Sequence, residues 1–256
     1  MPLSVTIITV VYNDETRIIS TLQSINIQQF KDIEYIIIDG QSTDNTLQII
    51  KDSDVKVDKL ISEPDKGIYD AMNKGVQYAT GEWILFLNAG DTFHSENTLK
   101  QTFAFENVND YDVIYGRHMW DYDTFKKESV ERPLKLMYKT MPFCHQATLT
   151  KREWLLKYPF DLRYKLIADY DFFRKIYYNG AKFLYRPVII ANYLCTGGAS
   201  GDNLVRVYKE NFQITSDINI VTRIFWYVMK LLKYYTTKLI KFLLPQSLVN
   251  TIRKKI

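Results

Sequence analysis

The chain has 256 residues, two cysteines and a net charge of +4 from 33 basic and 29 acidic residues. That length suits one large α/β domain with an appendage, and Cys144 and Cys195 give neither a disulfide framework nor zinc-ligand spacing, which predicts a reducing cytoplasm. No acidic residue follows Asp217 and eight basic ones follow Val221, so 25 basic residues face 29 acidic ones in the body at −4, the tail carries +8, and nucleic acid, which needs a basic footprint on the body, is excluded as main partner.

Leu3 to Ile8 lacks the basic start and cleavage site of a signal peptide and reads as the beginning of a first strand that runs to Val11. Ile18, Leu22 and Ile25 recur at i, i+4 and i+7 in a helix near 14–29, with Asn13 or Asp14 as its cap. A strand from Glu34 to Ile38, a helix from Thr46 capped by Asp44, and a short strand at 57–61 follow. Next come a helix near 69–78 closed by Gly81, a strand at 83–87 and a strand at 113–115. Short apolar runs alternating with helices predict a mostly parallel sheet with helices on both faces. Its strands' carboxyl ends open into a ligand crevice. From 117 to 142 the periodicity weakens, predicting a loop-rich or hairpin segment. Helices over 151–157 and 169–178, a strand over 188–193, the glycine-rich run 197–201 and helices from Asp202 complete the chain.

Carboxylates stand behind these elements. Asp39 ends Tyr35-Ile36-Ile37-Ile38-Asp39, Asp91 closes Asn88-Ala89-Gly90-Asp91, and Asp169 opens Asp169-Tyr170-Asp171. Such groups accept hydrogen bonds from a base or ribose, bind a hard cation shared with phosphates, or take a proton from an attacking hydroxyl. Each also fits a plainer role. Asp39 and Asp91 suit turns, Asp169 suits a helix N-cap, and the segment Glu63 to Gly75 suits a solvated helix and its approach. In Phe143-Cys144-His145-Gln146-Ala147 the imidazole is a base at neutral pH or a structural ring. His94 and His118 have no partners for a metal site, and both cysteines suit buried small apolar positions.

Five segments in order are similar to the family 2 glycosyltransferases of the GT-A fold, above all the bacterial members that build surface polysaccharides. They are Ile7-Ile8-Thr9-Val10-Val11-Tyr12-Asn13, Asp39-Gly40-Gln41-Ser42-Thr43-Asp44, Asp65 to Gly75, Gly81 to Asp91, and Ala168-Asp169-Tyr170-Asp171. The resemblance spans about residues 3 to 200. It implies a Rossmann-like α/β domain with a nucleotide-sugar half at 1–116, an acceptor-side half at 117–217 and a helical tail at 218–256. It implies that Thr9, Tyr12, Asn13, Asp39, Asp65, Lys74 and Asn88 bind the nucleotide and donor. By the same token Asp91 holds Mn2+ or Mg2+, Asp169 is the catalytic base, and His145 and Gln146 lie on the acceptor side. Asn88 and Gly90 depart from the family, which often has carboxylates there, and Ala168 stands where an acid usually precedes the base.

The activity so implied is inverting transfer of a sugar from a nucleoside diphosphate, UDP, to a lipid-linked oligosaccharide in capsule, exopolysaccharide or O-antigen synthesis. The departures at 88 and 90 keep a second expectation open, a non-catalytic membrane-associated assembly protein that retains the fold. A nucleotidyltransferase would need a glycine-rich basic phosphate loop near the start, and the sequence has none.

In the tail, Arg223, Lys230, Lys233, Lys238 and Lys241 fall within an arc of about 140° on a helical projection, opposite Phe225, Val228, Leu232, Leu239 and Leu243. No uncharged run there approaches the ~20 residues that span a bilayer. The pattern predicts an amphipathic helix lying on the anionic inner face of the cell membrane through 221–256, or packing on the domain or a second subunit in a homo-oligomer. Pro245 is expected to break it before a short basic end.

Overall fold

The computed structural model describes residues 4–105, 107–122, 125–195 and 203–243. The chain divides into two compact units, 1–196 and 197–256. The 116/117 boundary expected from sequence therefore falls within the first unit, inside one strand. The glycine-rich run 197–201 and the chain beyond Leu243 lie outside the described residues.

The first unit opens with β1 (Val5–Val11), α1 (Ile18–Asn26), β2 (Ile33–Asp39), α2 (Thr46–Asp52), β3 (Lys59–Ser62), α3 (Ile68–Tyr78) and β4 (Trp83–Phe86). β3, β2, β1 and β4 pair in parallel, in that order. Alternation along β1 explains the layers. Val5, Ile7 and Val11 join Ile18, Leu22 and Ile25 of α1 and Ile50 of α2 in one buried cluster, while Ile8 faces the opposite way, against Gly75 of α3. A Cβ at residue 75 would stand 2.6 Å from Ile8 Cγ2, so glycine there lets the helix approach the strand. Helix α1 begins four residues later than the periodicity suggests, because Asp14 closes a turn: its carbonyl accepts from the Arg17 and Ile18 amides. Asp44 caps α2 as expected, its Oδ1 accepting from the Thr46 amide at 3.0 Å.

The second half of the sheet is mixed. It contains β5 (Thr92–Phe93), β6 (Val113–Asp121), β7 (Lys126–Glu128), β8 (Thr148–Lys151) and β9 (Phe183–Leu194), with α4 (Thr98–Thr102), α5 (Arg152–Lys157) and α6 (Ala168–Tyr178) between them. β8 lies antiparallel between β4 and β6, β9 runs parallel to β6, and β5 closes antiparallel on β9. The weakly periodic stretch after 117 is a hairpin of β6 and β7.

His118 on β6 is buried, with its ring edge-on to Trp120. Burial pushes its imidazole down from 6.5 to about 4. The unfolded chain binds the proton more readily, so the stability from a neutral His118 is complete above about pH 6.5 and is lost as pH falls toward 4. The shift corresponds to about 3 kcal/mol. Denaturant titrations at pH 7 and 4.5 should therefore show a smaller acid loss in His118→Gln than in the wild type; equal losses would refute this.

The second unit contains α7 (Leu204–Ile214) and α8 (Ile220–Leu243). Arg223 donates to the Phe212 carbonyl and lies 4.1 Å from that ring's centre, and Lys230 donates to Asn211 Oδ1 at 2.8 Å. Two of the five cations on the expected basic face thus tie α8 to α7. Phe225, Leu232, Leu239 and Phe242 remain exposed.

Candidate active site

Register brings the carboxyl ends of β1, β2 and β4 together, since Val11 lies beside Asp39 and Ile8 beside Phe86. The loops leaving those strands converge on one edge. Asn13 adopts φ 48°, in the left-handed region that asparagine tolerates. Its Oδ1 accepts from the Thr43 amide and its own N–H donates to Ser42 Oγ, both at 2.8 Å. These bonds stitch the loop after β1 to the loop after β2.

Tyr12 is thereby held 63% exposed, its ring edge against Gly40. Asp65 Oδ1 accepts from the Gly67 amide at 2.7 Å, and Oδ2 lies 2.6 Å from where a Cβ on residue 40 would stand. Only glycine at 40 admits this approach. A bare aromatic face beside a carboxylate suits a flat base and a ribose hydroxyl.

Three other residues expected to line the pocket are placed differently. Thr9 is fully buried; its hydroxyl donates to the Leu87 carbonyl at 2.7 Å and accepts from Tyr35 at 3.1 Å. Its side chain belongs to the core face of β1. Asp39 is also fully buried, accepting from Ser42 N–H, Ser42 Oγ and Ser62 Oγ at 3.0, 2.5 and 2.6 Å. It shapes the turn beneath Tyr12. Lys74 Nζ is taken up by Glu63 at 2.8 Å and the Pro64 carbonyl at 2.7 Å, bracing the loop that carries Asp65.

A second cluster joins the start of α6 to the end of β4. Asp169 lies in the first turn of α6, where the helix end favours negative charge. Its Oδ1 accepts from Tyr69 OH and the Tyr170 amide, each at 2.9 Å, and its Oδ2 faces His145 Nδ1 at 2.8 Å. Burial alone would raise the Asp169 carboxyl, but His145 and the hydrogen bonds from Tyr69 and Tyr170 hold it below the usual carboxylate range. The other ring nitrogen, His145 Nε2, stands 3.5 Å from Asn88 Nδ2. Asn88 Oδ1 is buried without a hydrogen-bond partner.

Gln146 follows His145 on a single 3-10 turn, His145–Ala147, and points elsewhere. Cys144 Sγ donates to its Oε1 at 2.7 Å. Burial of Gln146 therefore turns it inward, away from the acceptor contact expected of it. Asp91 is buried, with Oδ1 accepting from the Leu194 amide at 3.0 Å. Burial pushes its carboxyl up to about 7, against the pull of that N–H, His145 and Gln146.

Asp91 has capacity for a divalent cation. A carboxylate offers about four lone-pair positions, and the Leu194 amide occupies only part of them. Its partners do not offset its burial, so a hard cation beside it would be favoured. The described residues hold no group of three or more potential His, Cys, Asp or Glu ligands, so a bound diphosphate would have to complete the shell.

Sequence reasoning missed Tyr69 and Arg17. Tyr69 sits in the quoted Asp65–Gly75 segment, but no local pattern connects it to a partner 100 residues away. Arg17, paired with Asp14 at 2.7 Å, lines a cleft of about 420 Å3 with Gly90, Asp121, Lys126 and Asn192. The late start of α1 places it there.

The profile of the family described as Glycosyl transferase family 2 matches residues 6–179. The chain is 33% identical over 205 residues to a PGL/p-HBAD biosynthesis glycosyltransferase of Mycobacterium bovis, covering 78% of this chain and 80% of the relative. It is 26% identical to the amylovoran biosynthesis glycosyltransferase AmsB of Erwinia amylovora, covering 75% and 69% of the two chains. Among solved structures, S. aureus TarS residues 1–349 in complex with UDP-GlcNAc superposes with a TM-score of 0.68 at 20% identity, covering 86% of this chain and 69% of that one. The chain spans 41% of a longer TarS chain.

Proposed function

Because the chain belongs to glycosyl transferase family 2, we propose that it moves a sugar from a nucleoside-diphosphate donor, a UDP-sugar, to a lipid-linked saccharide with inversion at the anomeric carbon. Its place would be capsule, exopolysaccharide or O-antigen synthesis, in keeping with relatives named for PGL/p-HBAD and amylovoran biosynthesis. The observation that carries the reading is His145, whose Nδ1 lies 2.8 Å from Asp169 Oδ2 and whose Nε2 faces Asn88 just beyond β4.

Tyr12 and Asp65 would receive the base and ribose, and the unpartnered Asn88 oxygen would accept from a donor hydroxyl. Asp91 would hold Mn2+ or Mg2+, which when bound neutralises charge on the leaving diphosphate. The acceptor hydroxyl would enter beside the Asp169–His145 pair, lose its proton to that pair and displace the diphosphate in one step, inverting configuration. Metal-stimulated release of UDP from a UDP-sugar, dependent on a saccharide-lipid acceptor, is the expected result. Nucleotide binding without turnover, given a competent acceptor, would favour the assembly protein.

The same reading puts the enzyme on the inner face of the cell membrane. No described helix is long and apolar enough to cross a bilayer. The exposed face of α8 carries Phe225, Leu232 and Leu239, with Lys233 and Lys238 also exposed, a composition suited to an anionic interface. Each buried leucine contributes about 1.5–3 kcal/mol, so Leu232→Glu with Leu239→Glu should weaken binding to anionic vesicles by about a hundredfold or more. Flotation assays would read this. Unchanged flotation, together with a dimer in sedimentation, would assign the face to a second copy.

A further inference from the structure

We propose that His145 Nε2 is the atom that takes the acceptor proton, and that Asp169 is a positioning residue acting through the imidazole. The inference rests on the glycosyltransferase reading and concerns which of the two groups does the chemistry.

The carboxylate is already engaged. Asp169 Oδ1 accepts two hydrogen bonds, from Tyr69 OH and the Tyr170 amide, and Oδ2 faces His145 Nδ1 at 2.8 Å. Tyr69 OH also lies 3.0 Å from the Leu166 carbonyl, so its one hydrogen is shared between that oxygen and Asp169 Oδ1. A carboxylate held in this way is ionised and a weak base, since its partners stabilise the charged form. Asp169 can only accept at Oδ2, so the neutral imidazole carries its proton on Nδ1. Asn88 Nδ2 is a donor facing Nε2, at 3.5 Å, the outer limit of hydrogen-bond distance. Asp169 therefore selects the tautomer with a lone pair on Nε2, and that nitrogen has no short partner to displace.

Nε2 also faces Asn88, which follows β4 and leads within three residues to Asp91, and His145 is near enough for its charge to pull on the Asp91 carboxyl. The step balances simply. The acceptor oxygen bonds to the anomeric carbon while the bond from that carbon to the diphosphate oxygen breaks, and the diphosphate leaves with the electron pair. The proton passes from the acceptor hydroxyl to Nε2, and the resulting imidazolium keeps its Nδ1 proton on Asp169.

The test uses the full chain, a UDP-sugar and a saccharide-lipid acceptor, with UDP affinity measured in parallel. His145→Gln should lower kcat by about a hundredfold to ten-thousandfold with UDP affinity unchanged, and His145→Ala should regain activity when imidazole is added. The limb of the wild-type pH profile reporting the base should be missing from His145→Gln. Combining His145→Gln with Asp169→Asn should cost little beyond the single changes, because the two act as a unit. If His145→Gln keeps kcat within about tenfold of wild type and retains the limb while Asp169→Asn loses activity, Asp169 is itself the base and the proposal is overturned. If the wild type turns over no nucleotide sugar, the glycosyltransferase reading fails, and this inference with it.

Discussion

Asp169→Asn should lower kcat by about a thousandfold or more and leave the affinity for UDP unchanged. Asparagine keeps the shape of the side chain, and its oxygen still accepts from Tyr69 OH and the Tyr170 amide. Its nitrogen, however, now presents hydrogens to His145 Nδ1, where the carboxylate presented a lone pair. The imidazole then carries its proton on Nε2 and can no longer receive one there. Loss of an aspartate that orients a histidine costs on the order of a thousandfold to ten-thousandfold in rate where that arrangement is used. Initial rates at saturating donor, with calorimetric UDP binding, check the prediction. A rise in KM with kcat intact would mean that Asp169 serves binding, and the assignment would fall.

The second large effect is expected at Asp91. Asp91→Asn keeps an oxygen to accept from the Leu194 amide, so β9 stays tied to the end of β4 and the melting temperature should change by only a few degrees. What disappears is the negative charge. Without it a divalent cation depends on the diphosphate alone, and the leaving group loses its neutralisation. We expect kcat/KM to fall by about a hundredfold to a thousandfold, the range seen when one group stabilising a developing anion is removed. Stimulation by manganese should weaken in the same variant. Full activity and an unchanged metal response in Asp91→Asn would remove the residue from the metal site.

The fold was largely legible because its first half follows a simple rule. Fully apolar runs such as Tyr35 to Ile38 and Trp83 to Leu87 have to be buried on both sides, and the helices between them cover both faces. The reversed strands were not legible. β8 is four residues of alternating character, Thr148–Lys151, and β5 is only two; both are strands because neighbours offer them hydrogen bonds, which no local pattern encodes.

The site was legible in its carboxylates and less so in where side chains point. Thr9 illustrates the difference. It shares parity with Val5, Ile7 and Val11, all of which pack under α1 and α2, so the alternation along β1 already places its hydroxyl on the core face. The parity argument was available from sequence. For Asp39 it was not, because Ser42 comes from the turn after β2 and Ser62 from the end of β3, and only the folded turn and the paired strands bring both to one carboxylate. His145 is similar: it and its partner Asp169 are both visible in the sequence, yet the 3-10 turn that presents the ring to that carboxylate is not.

The pairing of β9 with β6 carries a cost in time. Val113 lies beside Phe183, and β5 finds its partner near residue 191, so half of the sheet waits for segments made seventy to a hundred residues later. Long loops must close before such contacts reward them, which makes this the slow part of folding. A nascent chain that has emerged only as far as α6 presents β6 with an open edge, the surface on which unfinished sheets stick to one another. Refolding from denaturant should accordingly show β1 to β4 protected against hydrogen exchange before β6 and β9.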